Sequence, residues 1–404
     1  MQTTPVLEAI EDWLIREALG DPDTAEMFAG LCQRMNASGI RAERAMLSWA
    51  TLHPLIEAET VLWIDGGGIE LAQHRHEDAN SDEWLNSPIR AMLERGDLRL
   101  RCPLAQSNAP FDYPLFHSLA DQGFTDYLAI ATPFALPTAQ EVGASGIVVT
   151  WATRAPEGFD QATIEQIDYL QMRLALACRA TIQTRIAQTL ADTYLGRRAG
   201  SQVLAGRIRH GDGESLDAVI FYTDLRGSTA LAERLDPDAY LRVLNGYFDA
   251  TAGEVMARGG EVLDFIGDVV LAVFPIEAGG LGPAARQALA AARAVHARLA
   301  ALPVPGTAPL TCGIGLTCGP VMFGNIGVPD RLTFSVIGRK VNAAARIEAK
   351  TKELREPVLV TEEVAAADPA SFRGVGRFAL TGVDRPVELF ALRTPAAASD
   401  PAPR

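Results

Sequence analysis

The chain has 404 residues, 48% of them hydrophobic, and a formal net charge of -14. That length exceeds one ordinary core, so two domains and a connector are expected, while the negative balance argues against broad binding to nucleic acid or anionic membrane, which need excess positive charge. Five cysteines, an odd number with no C-x-x-C, indicate neither a disulfide framework nor a zinc site and fit a reducing cytosol.

Met1 to Gly20 mixes Glu8, Glu11, Asp12, Arg16 and Glu17 into its apolar pattern, unlike a secretory signal. No apolar run reaches the length of a membrane span, so a cytoplasmic protein is expected. Val6, Leu7, Ile10, Trp13, Leu14 and Ala18 form a helical face over residues 5–19, and a second helix follows through Ala25 to Met35. Ala45 to Leu52 and Thr60 to Ile64 read as strands, the latter stopped by Asp65-Gly66-Gly67-Gly68. That glycine run lacks the G-x-G-x-x-G spacing and a helix after it, so it is no dinucleotide site. His74-Arg75-His76-Glu77-Asp78 reads as a solvated polar loop rather than a metal cluster. Asp126 to Pro133 and Gly146 to Ala152 are further strands. All five Trp lie before position 152, which supports a separate N-terminal core over residues 1–160. Helices followed by four or five strands resemble, in architecture, an α+β sensory domain of the GAF or PAS kind.

From Asp160 the pattern turns helical, with Ile164, Ile167, Leu170, Leu174, Cys178, Ile182, Ile186 and Leu190 near the helical period. Two readings stand: a dimerising signalling helix between domains, or a helix capping the N-terminal core. Tyr194 to Gly213, rich in Gly and Arg, reads as a hinge-like linker, so residues 161–213 are assigned to helix and linker.

The chemistry-bearing stretches follow. Ala218 to Tyr222 reads as a buried strand that ends in Asp224, with Ser228 and Thr229 opening a helix. A carboxylate beside free helix amides can hold a cation next to a phosphate. In Gly259 to Phe274 two apolar runs meet at Gly267-Asp268, a hairpin that carries a second carboxylate at its tip. Phe334 to Glu348 leaves a strand for a helix, with Asn342 and Arg346 on one face. Between and after them come an Ala-rich helix, Ala284 to Leu302, and Thr311 to Thr317 with Val321 to Ile326, a strand pair broken at Gly319-Pro320. Val358 to Thr361 and Arg377 to Leu392 complete a domain over 214–393, a mixed sheet with helices packed on one side. Residues 394–404 read as a disordered tail.

These three stretches, in order and spacing, resemble the class III nucleotidyl cyclases, whose pattern is F-x-D-x-x-x-x-T, a G-G-x-x-x-K-x-x-G-D hairpin and a V-N-x-A-x-R helix. The resemblance, which does not extend to the first 160 residues, implies a ferredoxin-like catalytic core acting on ATP or GTP; with the GAF-like reading of residues 1–160 and the helical linker, the expected fold class is α+β. The resemblance also implies two Mg2+ (or Mn2+) ions held by Asp224, Asp268 and the carbonyl of Leu225, with backbone at Gly227, Ser228 and Thr229 cradling phosphates. Asn342 would orient the ribose and Arg346 would neutralise charge on the α-phosphate. In the family each site draws its aspartates from one subunit and its Asn/Arg helix from the other, so a homodimer is implied, with a signal received by the N-terminal domain. The sequence departs from the pattern at the base-reading positions, where Asp264 replaces the usual Lys and Ser335 its partner; Lys340 is a candidate stand-in for that Lys, and Arg385 for a phosphate-binding Lys. A second reading is a degenerate, nucleotide-binding regulatory module.

Overall fold

The computed structural model describes residues 4–20, 22–105, 113–134, 145–209, 211–303, 308–328, 330–383 and 385–393. The tail expected at 394–404 and Asp384 of the closing turn lie outside the described residues. The chain divides into two compact units, Met1–Leu190 and Ala191–Arg404.

The first unit opens with α1 (Pro5–Leu19) and α2 (Thr24–Ala37). Thr4 caps α1 with Pro5 in its first turn, and Asp23 caps α2 by accepting from Ala25 N at 2.8 Å. A six-stranded sheet follows in the order β3-β2-β1-β6-β5-β4. Its strands are β1 (Arg44–Ala50), β2 (Ile56–Ile64), β3 (Gly68–Arg75), β4 (Arg99–Pro103), β5 (Asp126–Pro133) and β6 (Gly146–Thr153). Alternation sends Ala45, Leu47 and Trp49 to the face covered by α1, α2 and α6 (Gln161–Leu195). The short helices α3 (Asp82–Leu85), α4 (Pro88–Glu94) and α5 (Pro114–Asp121) lie between β3 and β5, and Met92 of α4 with Phe116 of α5 packs in a second apolar cluster that includes Tyr127 and Ala129.

One expectation changes here and one choice narrows. The polar segment at His74 is not all loop: β3 runs to Arg75, and His74 Nε2 lies 3.0 Å from Thr60 Oγ1. A glycine-rich turn followed by polar residues hid an edge strand whose side chains are all exposed. The helical stripe from Ile164 to Ile182 is buried inside its own unit, so that face of α6 serves as a cap of the N-terminal core, and only Leu190 at its end is exposed.

In the second unit α7 (Arg197–Leu204) stands where a hinge-like linker is expected. Arg198 bonds both oxygens of Glu261 at 2.8 and 3.0 Å and Glu214 at 3.0 Å, while Ala199 is buried against the sheet. The remaining elements are β7 (Gly213–Leu225), α8 (Ser228–Arg234), α9 (Pro237–Met256), β8 (Glu261–Ile266), β9 (Val269–Pro275), α10 (Leu281–Ala301), β10 (Cys312–Val328), β11 (Arg331–Ile337), α11 (Arg339–Leu354), β12 (Val358–Thr361), α12 (Glu362–Ala365), β13 (Phe372–Phe378) and β14 (Val387–Leu392).

The eight-stranded sheet runs β13-β14-β12-β10-β7-β9-β8, with β11 paired to β10. Only the β10–β12 pairing is parallel among the described pairs, so the sheet is mixed. Helices cover both faces, not one. Val219, Phe221 and Leu225 face α9 and α10, whereas Ala218 and Ile220 share a cluster with Ala199 of α7 and Ala344 of α11. A strand buried on both faces reads as a continuous apolar run, which conceals the second layer from a sequence reading.

β10 is also one continuous strand of 17 residues rather than a pair broken at Gly319-Pro320. Pro320 stands opposite Asp217 of β7, and the Asp217 carbonyl accepts instead from Ile276 N at 2.8 Å. The missing proline N–H therefore leaves no orphan there.

Candidate active site

β7 delivers its carboxylate at its C-terminal end because Ala218 to Phe221 are wholly buried, which fixes the strand centrally between β9 and β10. In register Asp224 stands opposite Val269 of β9 and Gly313 of β10. Gly267, at φ 65°, closes the β8–β9 hairpin in a backbone region that favours glycine, and this sets Asp268 immediately before Val269. The two aspartates are neighbours, and Asp268 acts directly on the Asp224 carboxyl.

Burial, Asp268 at close range and the charge of Glu348 push the Asp224 carboxyl up to about 7, with Arg226 opposing. Two carboxylates held this close disfavour double ionisation. An all-oxygen set of two carboxylates and a backbone carbonyl suits a hard divalent cation whose other ligands are phosphates and water, and a bound cation relieves the repulsion. The residues present therefore fit Mg2+ or Mn2+. No cluster of three or more His, Cys, Asp and Glu side chains joins them among the described residues. The Leu225 side chain carries no ligand atom, so only its main-chain carbonyl could serve an ion.

Repulsion at the pair has a measurable cost. The rise of Asp224 from 3.8 to about 7 would correspond to roughly 4 kcal/mol in a dry site, and solvent screening of this half-buried group reduces it to about 1–2 kcal/mol. Because the folded-state value is raised, the metal-free fold favours the protonated acid. The penalty is absent below pH 4, grows as pH rises toward 7 and is complete above it. Asp224→Asn is therefore expected to stabilise the metal-free protein by about 1–2 kcal/mol at pH 8, with the gain shrinking toward zero near pH 4. Urea denaturation in EDTA at both pH values checks this; equal stability of variant and parent at pH 8 would refute it.

Gly227, at φ 71°, turns the chain from β7 into α8. No side chain caps that helix, so the first-turn amides at Ser228 and Thr229 are not engaged by a cap. Asn342 and Arg346 both lie exposed on α11, whose buried face is Ala343, Ala344, Ile347, Glu348 and Thr351. The charge of Arg346 reaches Tyr222, two residues from Asp224 on the same strand. Asp264 lies on β8 opposite Leu271, past a bulge at Leu263, and Ser335 lies on β11 opposite Gly324. β8 and β11 approach each other, which brings the strands of the two base-reading candidates together.

Lys340 does not reach toward Asp264. Its stem lies over Gly319 of β10, and its charge acts on Cys318 and Glu363, with β7 and β9 between β10 and β8. Arg385 is exposed beside the closing turn. Beside Asp224 lie Gly313, its partner in register, and Arg226, which contacts Glu348 and Thr351; nothing in the sequence spacing marks Glu348 as a partner of Arg226.

A family model described as the adenylate and guanylate cyclase catalytic domain matches residues 213–392. An uncharacterised protein of Mycobacterium tuberculosis (strain H37Rv) is 33% identical over 267 residues, 60% of this chain and 48% of that protein. The adenylate cyclase of Anabaena cylindrica is 32% identical over 149 residues, 36% of this chain and 29% of that protein. Among solved structures, the guanylyl cyclase Cya2 is 30% identical at a TM-score of 0.36, covering 45% of this chain and 93% of that one. The chain spans less than half the length of these curated relatives.

Proposed function

We propose, since residues 213–392 match the adenylate and guanylate cyclase catalytic-domain model, that this chain converts a purine nucleoside triphosphate to its 3',5'-cyclic monophosphate and pyrophosphate. The observation that carries the reading is the facing pair Asp224 and Asp268, held at a strand end beside an uncapped helix start. A domain released from catalysis has no reason to keep two carboxylates that repel each other, which weighs against the degenerate regulatory module.

In this reading two Mg2+ or Mn2+ ions, when bound, lower the pKa of the ribose 3'-hydroxyl and neutralise the leaving pyrophosphate. Asp224, Asp268 and the Leu225 carbonyl hold them. The amides from Gly227 to Thr229 orient the triphosphate, so that the hydroxyl and the α-phosphorus of one molecule stand in line. Asn342 holds the ribose, and the planar donors of Arg346 stabilise charge developing on the α-phosphate. Both lie exposed on α11, which favours their serving the site of a second copy, and the active species is then a homodimer. The unit Met1–Leu190 is read as its regulatory input, and rotation of one catalytic domain against the other would open or close both sites.

For the base, the pair Asp264 and Ser335 leans to guanine. A carboxylate accepts from guanine N1 and N2, and a serine hydroxyl donates to O6, whereas adenine N1 is itself an acceptor. An opposed pair of acceptors costs on the order of 1–3 kcal/mol, or roughly tenfold to a hundredfold in selectivity. Purified protein with Mg2+ or Mn2+ is expected to release cyclic nucleotide and to show the higher kcat/KM with GTP, and Asp264→Lys is expected to shift the ratio toward ATP by tenfold or more. No cyclic nucleotide from either substrate would overturn the cyclase reading. An ATP preference that Asp264→Lys leaves unchanged would remove Asp264 from the base site alone.

A further inference from the structure

The residue between Leu225 and Gly227 has no task in the reaction as described. Arg226 turns away from the phosphate loop toward α11, where its Nη1 lies 3.5 Å from Glu348 Oε1 and its Nη2 donates to Thr351 Oγ1. Thr351 Oγ1 in turn donates to the Glu348 carbonyl at 2.5 Å, and Arg226 N donates to Thr311 O at 2.8 Å. The room for this contact exists because position 313 is glycine. A Cβ there, directly opposite Asp224 in register, would collide with Glu348 Oε1, Thr351 Oγ1 and Arg226 Nη2 together. Glu348 is 5% exposed, so its carboxylate depends on the guanidinium for compensation. A planar fork that meets a carboxylate and a hydroxyl at once has no equivalent in lysine.

We infer that Arg226 is a positioning residue, a strut that ties the loop of Leu225 and Gly227 to Thr229 onto the helix that carries Asn342 and Arg346. The inference rests on the cyclase reading above and deepens it. In a dimer with shared sites, the loop and the helix of one chain serve different sites, so each strut holds one half of both.

The test is Arg226→Met in the full chain, read by kcat, by KM and by Mn2+ affinity measured without nucleotide. Arg226→Met is expected to lower kcat and weaken Mn2+ binding about tenfold each or more, and adding Glu348→Gln to cause little further loss. Arg226→Lys, which keeps a counter-charge for Glu348, guards against a variant that fails to fold and is expected to lose kcat as well. Placement then separates the strut from a purely local effect. In mixed dimers with one working site, Arg226→Met is expected to reduce turnover both in the chain that supplies the aspartates and in the chain that supplies Arg346. Loss only in the first overturns the strut, and so does wild-type kcat and Mn2+ affinity in a folded Arg226→Met or, where that fails to fold, in Arg226→Lys. If the parent makes no cyclic nucleotide, the cyclase reading fails by itself, and the Mn2+ affinity of the Arg226 variants still decides the strut.

Discussion

Asp224→Ala and Asp268→Ala are each expected to abolish turnover, a loss of ~10^3-fold or more, equivalent to about 4 kcal/mol of transition-state stabilisation. Each change removes an oxygen ligand from the facing pair and no atom of the buried core, since Asp224 is only half-buried and Asp268 stands in the hairpin turn. The fold is expected to survive, because the strand that carries Asp224 is held by Ala218 to Phe221 and by its pairing to β9 and β10. Removal of either carboxylate also removes the repulsion, so the metal-free variants should melt no lower than the parent at pH 8. Cyclic nucleotide assays at saturating Mn2+, beside thermal melts in EDTA, separate the two effects. Turnover within a few-fold of the parent in either variant would sink the two-metal assignment; an inactive variant that melts far lower would assign the loss to the fold instead.

What the sequence made legible is what runs along the chain. The apolar run before Asp224, the glycine turn before Asp268 and the four-residue step from Asn342 to Arg346 are local patterns, and each lies where its pattern puts it. What it concealed depends on contacts between distant residues. Nothing near Arg226 announces Glu348, and Gly313 looks like any strand glycine until its missing Cβ is found to leave room for both. Pro320 misleads for the same reason, because a rule about local hydrogen bonding overlooks that the opposite carbonyl is satisfied by Ile276. The α6 stripe shows the limit most plainly. Period alone cannot tell a seam that awaits a second copy from one filled by α1, α2 and the sheet of its own unit.

The second large effect concerns how the site is shared. Asn342 and Arg346 project from α11 while Glu348 and Thr351, on the opposite side of that helix, are buried against the sheet and bound to Arg226. A helix so anchored presents its exposed pair outward. In the proposed homodimer one chain then supplies the aspartates of a site and the other supplies Arg346. Arg346→Ala and Asp268→Ala homodimers are each expected to be inactive, since every site lacks one component. When the two inactive chains are mixed and allowed to exchange, half of the dimers contain one of each by random pairing, and in those one site of the two holds both Asp268 and Arg346. Activity is therefore expected to return to roughly a quarter of the parent level, from a background at least ~10^2-fold lower, provided one intact site works alone. Tagged chains purified as the mixed dimer should give about half. If a verified mixed dimer stays at background, each chain contains its whole site, and the exposed position of Arg346 would need another explanation.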